Sequence, residues 1–164
     1  GAVHSGASSI IALDLLDEKL TLAHQFGATH SVNSGRPNCV EQVLALTDGR
    51  GVDYVFVTVG VKAAIEQSLS LLAKSGTAVI VGMPASGVLA EFDPAALAAN
   101  GQSLIGSKMG SASVKRDIPK LAALYQSGDL RLDELISKRY VLDEINEAIA
   151  SVKRGEALRN VVIF

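Results

Sequence analysis

Residues 10–14 read Ile-Ile-Ala-Leu-Asp, an apolar run that stops at a carboxylate and leads into a helix-like segment. A run of this kind predicts a strand buried on both faces, as in a parallel sheet covered by helices. In doubly wound α/β sheets, ligands bind in the crevice at the carboxyl ends of the strands. The sequence therefore places Asp14 at the position where such a fold binds its ligand.

The acid itself indicates the kind of ligand. At the end of the second strand of a nucleotide-binding sheet, a carboxylate accepts both hydroxyls of an adenosine ribose and repels a 2′-phosphate, which favours NAD over NADP. The alternative is that Asp14 merely caps the helix that follows. The rest of the chain favours the first interpretation, because strands and helices alternate in the order that this fold requires.

The downstream pattern predicts an α/β fold with a doubly wound parallel sheet of the Rossmann type. Further strands are expected at residues 29–33, 53–59, 77–81 and 103–107, with helices between them and a helix from about residue 118 that carries Pro119 in its first turn. No G-x-G-x-x-G is present, and residues 1–6 are typical of the last turn of a helix. We therefore expect a fragment truncated at its N-terminus, without the first strand and its phosphate-binding loop.

In the strand order of this fold, the missing strand lies between residues 10–13 and 54–59. Three outcomes are open: the two flanking strands pair directly, another segment inserts between them, or the gap remains. Direct pairing is expected for a fragment that folds alone, and persistence of the gap for one taken from a longer protein. The C-terminal strand at residues 161–164 is the favoured inserting segment.

Composition excludes several classes of protein. The 164 residues carry a formal net charge of −2, 48% hydrophobic residues and 4% aromatic residues, with no basic stripe of the kind that binds nucleic acid. No apolar run approaches the roughly 20 residues of a membrane span. Cys39 is the single cysteine, so no internal disulfide can form, and a reducing cytoplasm is the expected location.

Ordered motifs along the whole chain resemble the coenzyme-binding half of zinc-dependent alcohol dehydrogenases, in the medium-chain dehydrogenase/reductase superfamily. The matching stretches are I-I-A-L-D at 10–14, D-E-K-L at 17–20, F-G-A-T at 26–29, G-V-D-Y-V-F at 51–56, residues 76–84, L-I-G-S at 104–107, and the ending I-N-E-A at 145–148 through Gly155 and Arg159 to Phe164. The resemblance implies a partial NAD-binding domain at residues 1–129 and a C-terminal segment of the catalytic domain at residues 130–164.

The resemblance also implies the cofactor-binding residues. Asp14 and Lys19 would bind the adenosine ribose, Leu15 and Thr58 would line the adenine, and Arg159 would reach the pyrophosphate. Val81 would pack near the nicotinamide, whose carboxamide the backbones of Val81, Ser107 and Met109 would hold. Each has a structural alternative: Lys19 and Arg159 as solvated charges, Val81 as core.

Two departures from the family pattern limit these assignments. Val61 stands where many members carry an arginine that contacts the adenosine. The cysteine and histidine ligands of the family's catalytic zinc do not lie in this chain: Cys39 has no partner at metal-ligand spacing and is expected to be a small buried side chain, and the histidines are scattered over separate elements. No residue of the chain is predicted to be catalytic.

The resemblance thus implies the coenzyme-binding part of an NAD-dependent, zinc-containing alcohol dehydrogenase acting on a small alcohol or aldehyde, with no catalytic activity expected of the fragment alone. It also implies a homo-oligomer that pairs the edge strand at residues 103–107 across a twofold axis. The alternatives are a zinc-free quinone or enoyl reductase, an S-adenosylmethionine methyltransferase and a non-catalytic dimerisation fragment. Asp14 counts against the reductase, and the helix after residue 107 counts against the antiparallel hairpin of the methyltransferase.

Overall fold

The computed structural model describes residues 1–164, which divide into two compact units, residues 1–112 and residues 113–164. The first unit alternates strands and helices: β1 (Ile11–Asp14), α1 (Asp17–Gln25), β2 (His30–Asn33), α2 (Cys39–Ala45), β3 (Val52–Val57), α3 (Lys62–Ser70), β4 (Leu72–Ile80), α4 (Pro94–Ala99) and β5 (Ser103–Gly106). The predicted division into residues 1–129 and 130–164 concerns domains of a longer protein and stays a prediction.

The strands of the first unit form two parallel sheets. One contains β1 and β2, with Asp14 opposite Asn33 at its carboxyl end. The other has the order β3-β4-β5, with Val57 opposite Ile80 and Ile80 opposite Gly106. Parallel strands joined by helices confirm the predicted α/β class. Every strand pair in the chain is parallel, so the antiparallel hairpin of the methyltransferase alternative is absent.

A gap separates the two sheets, because β1 and β3 do not pair with each other and nothing pairs between them. The helix α2 holds the two sides together: Cys39 and Val43 are buried with Val32 and Leu71. Side chains from both flanking strands pack against this cluster, among them Ile11, Leu13, Val52 and Val55. Of the three outcomes considered for β1 and β3, neither direct pairing nor insertion occurs.

The helix α1 shows how local sequence sets the bounds of these elements. Asp17 and Glu18 lie in its first turn, where carboxylates interact favourably with the helix dipole. Leu20 is the buried contact of the helix with the sheet. Gly27 follows its C-cap with φ of 98°, a conformation that an L-residue adopts only with strain, so the helix ends there and the chain turns into β2.

The second unit contains α5 (Val114–Gln126), β6 (Ile136–Val141), α6 (Ile145–Lys153) and β7 (Arg159–Ile163). The C-terminal strand, which was the favoured segment if insertion occurred, does not insert into the gap, because β7 pairs in parallel with β6. The helix α5 begins before the predicted start near residue 118, so Pro119 lies inside it and not in its first turn. The carboxylate of Asp117 accepts the Ser113 N–H at 2.8 Å and stabilises this earlier start. None of the helices is long and apolar enough to cross a membrane.

Candidate functional site

Asp14 is the last residue of β1, and its side chain is half-buried. Its Oδ1 accepts a hydrogen bond from the Leu16 N–H at 3.0 Å, which closes a tight turn between the strand and the helix. The N-cap of α1 is Leu16, and no side chain caps this helix, so Asp14 does not have the capping role considered from the sequence. Its second carboxylate oxygen remains available to accept hydrogen bonds from a ligand.

Asn33 is the residue opposite Asp14 in the parallel register, and it connects the two strand ends. Its Nδ2 donates to the Leu15 carbonyl at 3.0 Å and to Asp17 Oδ1 at 2.7 Å. Its Oδ1 accepts the Gly35 N–H at 2.9 Å. Sequence reasoning missed this residue. The available signal was an asparagine at the end of a strand just before a polar turn, a position that favours side-chain bonds to the main chain.

Leu15 and Lys19 flank this turn. Leu15 directly follows Asp14 and is 67% exposed, so its side chain presents an apolar surface beside the carboxylate. Lys19 lies early in α1 and is half-buried. Both therefore lie within a few residues of Asp14 on the same strand–turn–helix segment.

Thr58, Val81 and Ser107 directly follow β3, β4 and β5, so each predicted residue stands at the carboxyl end of a parallel strand. Main-chain hydrogen bonds hold the ends of neighbouring strands in register. The Val81 N–H donates to the Val57 carbonyl at 2.9 Å, and the Ser107 N–H donates to the Ile80 carbonyl at 2.9 Å. Thr58 is exposed, while Val81 is half-buried.

Two glycines allow the chain segments that leave β3 and β4 to continue side by side in close contact. A β-carbon at Gly60 would come within 2.7 Å of the Met83 carbonyl carbon, and one at Gly82 within 2.6 Å of the Thr58 carbonyl carbon. Both distances are shorter than side-chain carbons tolerate, so only glycine fits at either position. This close contact leaves backbone, not side chains, at this part of the strand ends.

Met109 lies in the loop after β5 and is 83% exposed. Its φ is 50°, and Gly110 and Ser111 that follow have φ of 71° and 50°. The left-handed conformation is strained at Met109 and Ser111, which are not glycines, and such conformations are concentrated at functional sites. Arg159, in the second unit, begins β7 opposite Ile136 and is exposed.

The chain contains no cluster of His, Cys, Asp or Glu side chains that could hold a metal ion. Cys39 is fully buried, which agrees with the prediction of a small core side chain. Burial, with a smaller contribution from the charge of Glu41, raises the pKa of its thiol. His24 is exposed and bonded: its Nδ1 lies 2.8 Å from the Ala28 carbonyl and its Nε2 lies 3.1 Å from Ser31 Oγ.

Comparison with known proteins gives consistent matches. The family model described as "Zinc-binding dehydrogenase" matches residues 1–127. An NDMA-dependent alcohol dehydrogenase from Amycolatopsis methanolica is 33% identical over 99% of this chain and 44% of its own length. A geraniol dehydrogenase from Carpoglyphus lactis is 35% identical over 100% of this chain and 43% of its own length.

Among solved structures, benzyl alcohol dehydrogenase from Acinetobacter calcoaceticus superposes with a TM-score of 0.90 at 36% identity, over 95% of this chain and 42% of that one. The chain thus spans less than half the length of the relatives that it matches.

Proposed function

Because the chain belongs to the zinc-binding dehydrogenase family, we propose that it is the coenzyme-binding part of an NAD-dependent alcohol dehydrogenase. The observation that supports NAD most directly is Asp14, a half-buried carboxylate at the end of β1 that uses one oxygen to hold the adjacent turn. The other oxygen can accept from a ribose hydroxyl, and the charge repels a 2′-phosphate.

The proposed cofactor contacts are taken for each unit by itself: seven residues lie at or near the strand ends of the first unit, and Arg159 lies in the second unit. The residues are Asp14, Leu15, Lys19, Thr58, Val81, Ser107, Met109 and Arg159. Asp14 and Lys19 bind the adenosine ribose, and Leu15 and Thr58 contact the adenine. Val81 packs beside the nicotinamide, and the main chain of Val81, Ser107 and Met109 binds its carboxamide. Arg159 neutralises charge on the pyrophosphate.

The nicotinamide ring, when bound, accepts or donates the hydride. The contribution of this chain is orientation. The close contact at Gly60 and Gly82 leaves main chain without side chains at the strand ends where we propose that the ligand binds, and half-buried Val81 offers one apolar side against which a ring can rest. The residues of this chain do not provide ligands for zinc, because no cluster of metal-binding side chains is present.

The proposed substrates are small alcohols or the corresponding aldehydes. The names of the relatives, which include geraniol and benzyl alcohol dehydrogenases, support this class. We further propose a homo-oligomer through the exposed edge strand β5, whose four residues are all exposed. We also propose a location in the cytoplasm, which the single buried cysteine supports.

The test uses the complete protein that carries this chain. Titration with NADH and NADPH, followed by nicotinamide fluorescence, is expected to show NADH binding at least about tenfold more tightly, a difference of about 1.4 kcal/mol. Short-chain and benzylic alcohols should then reduce NAD. Equal affinity for the two nucleotides would contradict the assignment of Asp14, and binding of neither would contradict the proposed function as a whole.

A further inference from the structure

We propose that Asn33 is a positioning residue for Asp14, and that it thereby determines how strongly the site discriminates between NADH and NADPH. This inference rests on the proposed function. Asn33 itself does not need to touch the nucleotide. It acts by fixing the main chain that carries the ribose-binding carboxylate.

The first step is the connection between the two strand ends. Asn33 and Asp14 are register partners at the last position of the β1–β2 pair. Beyond this point the ladder continues only through the Ser34 N–H, which donates to the Asp14 carbonyl at 3.0 Å. Beyond Ser34, hydrogen bonds from the side chain of Asn33 take the place of main-chain hydrogen bonds between the two segments. This side chain donates to the carbonyl of Leu15, the peptide that immediately follows Asp14, and to the carboxylate of Asp17.

The second step is that both ends of the Asn33 amide are in use. The two donors of Nδ2 bind acceptors on different residues, and Oδ1 accepts the Gly35 N–H at 2.9 Å. An aspartate at this position would have no donor for either acceptor and would place a second carboxylate beside Asp17. The network therefore needs an amide, and it fixes which way the amide is oriented.

The third step is that the two loops pack closely around this amide. A β-carbon at Gly35 would lie 3.2 Å from Asn33 Oδ1 and 3.2 Å from Leu15 Cδ2. The loop after β2 thus lies directly against the loop after β1, with the Asn33 amide between them. Because the two loops are closely packed, the neighbouring chain has little space to rearrange when Asn33 is substituted.

The consequence concerns recognition of two adjacent hydroxyls by one carboxylate. Such recognition requires the carboxylate to be held within about 0.5 Å of the productive position by groups whose own positions are fixed. The carboxylate of Asp14 accepts a single hydrogen bond, from the Leu16 N–H. Asn33 restrains the chain on the far side of the Leu15 peptide. Loss of the Asn33 side chain therefore makes the turn more mobile, and the position of the Asp14 carboxylate becomes less well defined.

The test is a double-mutant cycle in the complete protein, with NADH and NADPH dissociation constants measured for each variant. Asn33→Ala is expected to weaken NADH binding about tenfold and to leave NADPH binding within about twofold, because NADPH gains nothing from Asp14. In an Asp14→Ser background, Asn33→Ala should have no further effect on either nucleotide. Asn38→Ala is the matched control, since Asn38 lies on the same loop and bonds only to Gln42.

Asp17→Ala provides a second variant in case Asn33→Ala folds poorly. This variant removes the exposed carboxylate that accepts one hydrogen bond from the Asn33 amide. It should reduce the preference for NADH over NADPH, by a smaller factor than Asn33→Ala does. Equal weakening of both nucleotides by Asn33→Ala, or an undiminished effect in the Asp14→Ser background, would show a general structural role and overturn the inference. If Asp14→Ser alone changes neither affinity, the ribose contact of Asp14 fails and the inference fails with it, whereas binding of neither nucleotide by the wild-type protein contradicts the proposed function itself.

Discussion

Gly82 lies directly against the carbonyl group of Val59, where the chain leaving β4 runs beside the chain leaving β3. A methyl group at position 82 would overlap this main chain and come within 2.6 Å of the Thr58 carbonyl carbon. Because main chain cannot turn aside as a flexible side chain does, the two strand ends would have to separate.

Gly82→Ala should therefore destabilise the first unit by at least about 1–3 kcal/mol, the usual cost of inserting a carbon into a packed region. Urea unfolding followed by circular dichroism measures the change. Gly106→Ala is the control, because a β-carbon at Gly106 meets open space. Equal stability of the two variants would mean that the contact between these two segments is not tightly packed.

Asp14→Ser should narrow the preference for NADH over NADPH in the complete protein by about ten- to hundredfold, since a hydrogen bond to a charged group contributes about 1.5–3 kcal/mol. Calorimetric titration with both nucleotides measures this ratio. Asp53→Ser is a suitable control, because it also removes one carboxylate but lies near the amino end of β3, where it pairs with Arg50. An unchanged ratio for Asp14→Ser would rule out its ribose contact.

Ile105→Lys should abolish self-association through β5. Ile105 is 49% exposed on an edge strand, and a lysine there would face its own copy across the proposed twofold axis. Ile163→Lys is the matched control: Ile163 is also 49% exposed and lies on β7 of the second unit. Sedimentation velocity compares the three proteins. A wild-type chain that stays monomeric at high concentration would exclude this interface.

The gap between β1 and β3 should appear in amide hydrogen exchange of the isolated 164-residue chain. Val57 accepts from Val81 and Asp14 accepts from Ser34, so by alternation the N–H groups of Leu13 and Phe56 face the gap. These two amides should exchange at least roughly tenfold faster than their neighbours in the same strands. Uniform protection along both strands would show that the gap closes in solution.

The second unit should lose stability in acid through Asp117. Hydrogen bonds from the Arg116 side chain and then from the Ser113 N–H hold the pKa of this carboxyl below its ordinary value. A depressed folded-state pKa stabilises the fold above the unfolded value, near about pH 4, and this contribution disappears as the pH falls through the folded pKa.

Asp117→Asn should therefore lower the melting temperature at neutral pH, and the difference from wild type should shrink below about pH 4. Asp143→Asn, which changes an exposed carboxylate elsewhere in the same unit, is the control variant. A constant difference across the pH range for Asp117→Asn would exclude the ionised carboxylate as the cause.

Strands with strong apolar runs were predictable from the sequence, since β1, β3 and β5 end within two residues of the expected positions. The start of β4 at Leu72 was not, because Ser75 and Gly76 suggested a break. The structure accommodates them with φ of 62° at Ser75 and a register shift between Val52 and Tyr54. Such irregularities depend on the neighbouring strand and leave no periodic pattern.

The candidate site shows the same limit. Asp14 was predictable because its position follows from the strand that it ends. Asn33 was not, because its bonds to Leu15 and Asp17 span 18 and 16 residues of sequence and involve individual atoms, not a repeating face. The pairing of β7 with β6 was missed because both strands are short, and four of the six residues of β6 are exposed, among them Lys138 and Arg139.

The burial of Cys39 also has a practical meaning for spectroscopy. A fully buried thiol with a raised pKa is mostly protonated and inaccessible to maleimides at neutral pH, so it need not be removed before labelling. A cysteine introduced at exposed Met109 would be the only reactive thiol of the chain and would carry a fluorophore beside the strained loop after β5. The native sequence therefore needs no cysteine removed before a dye is attached at a single introduced cysteine.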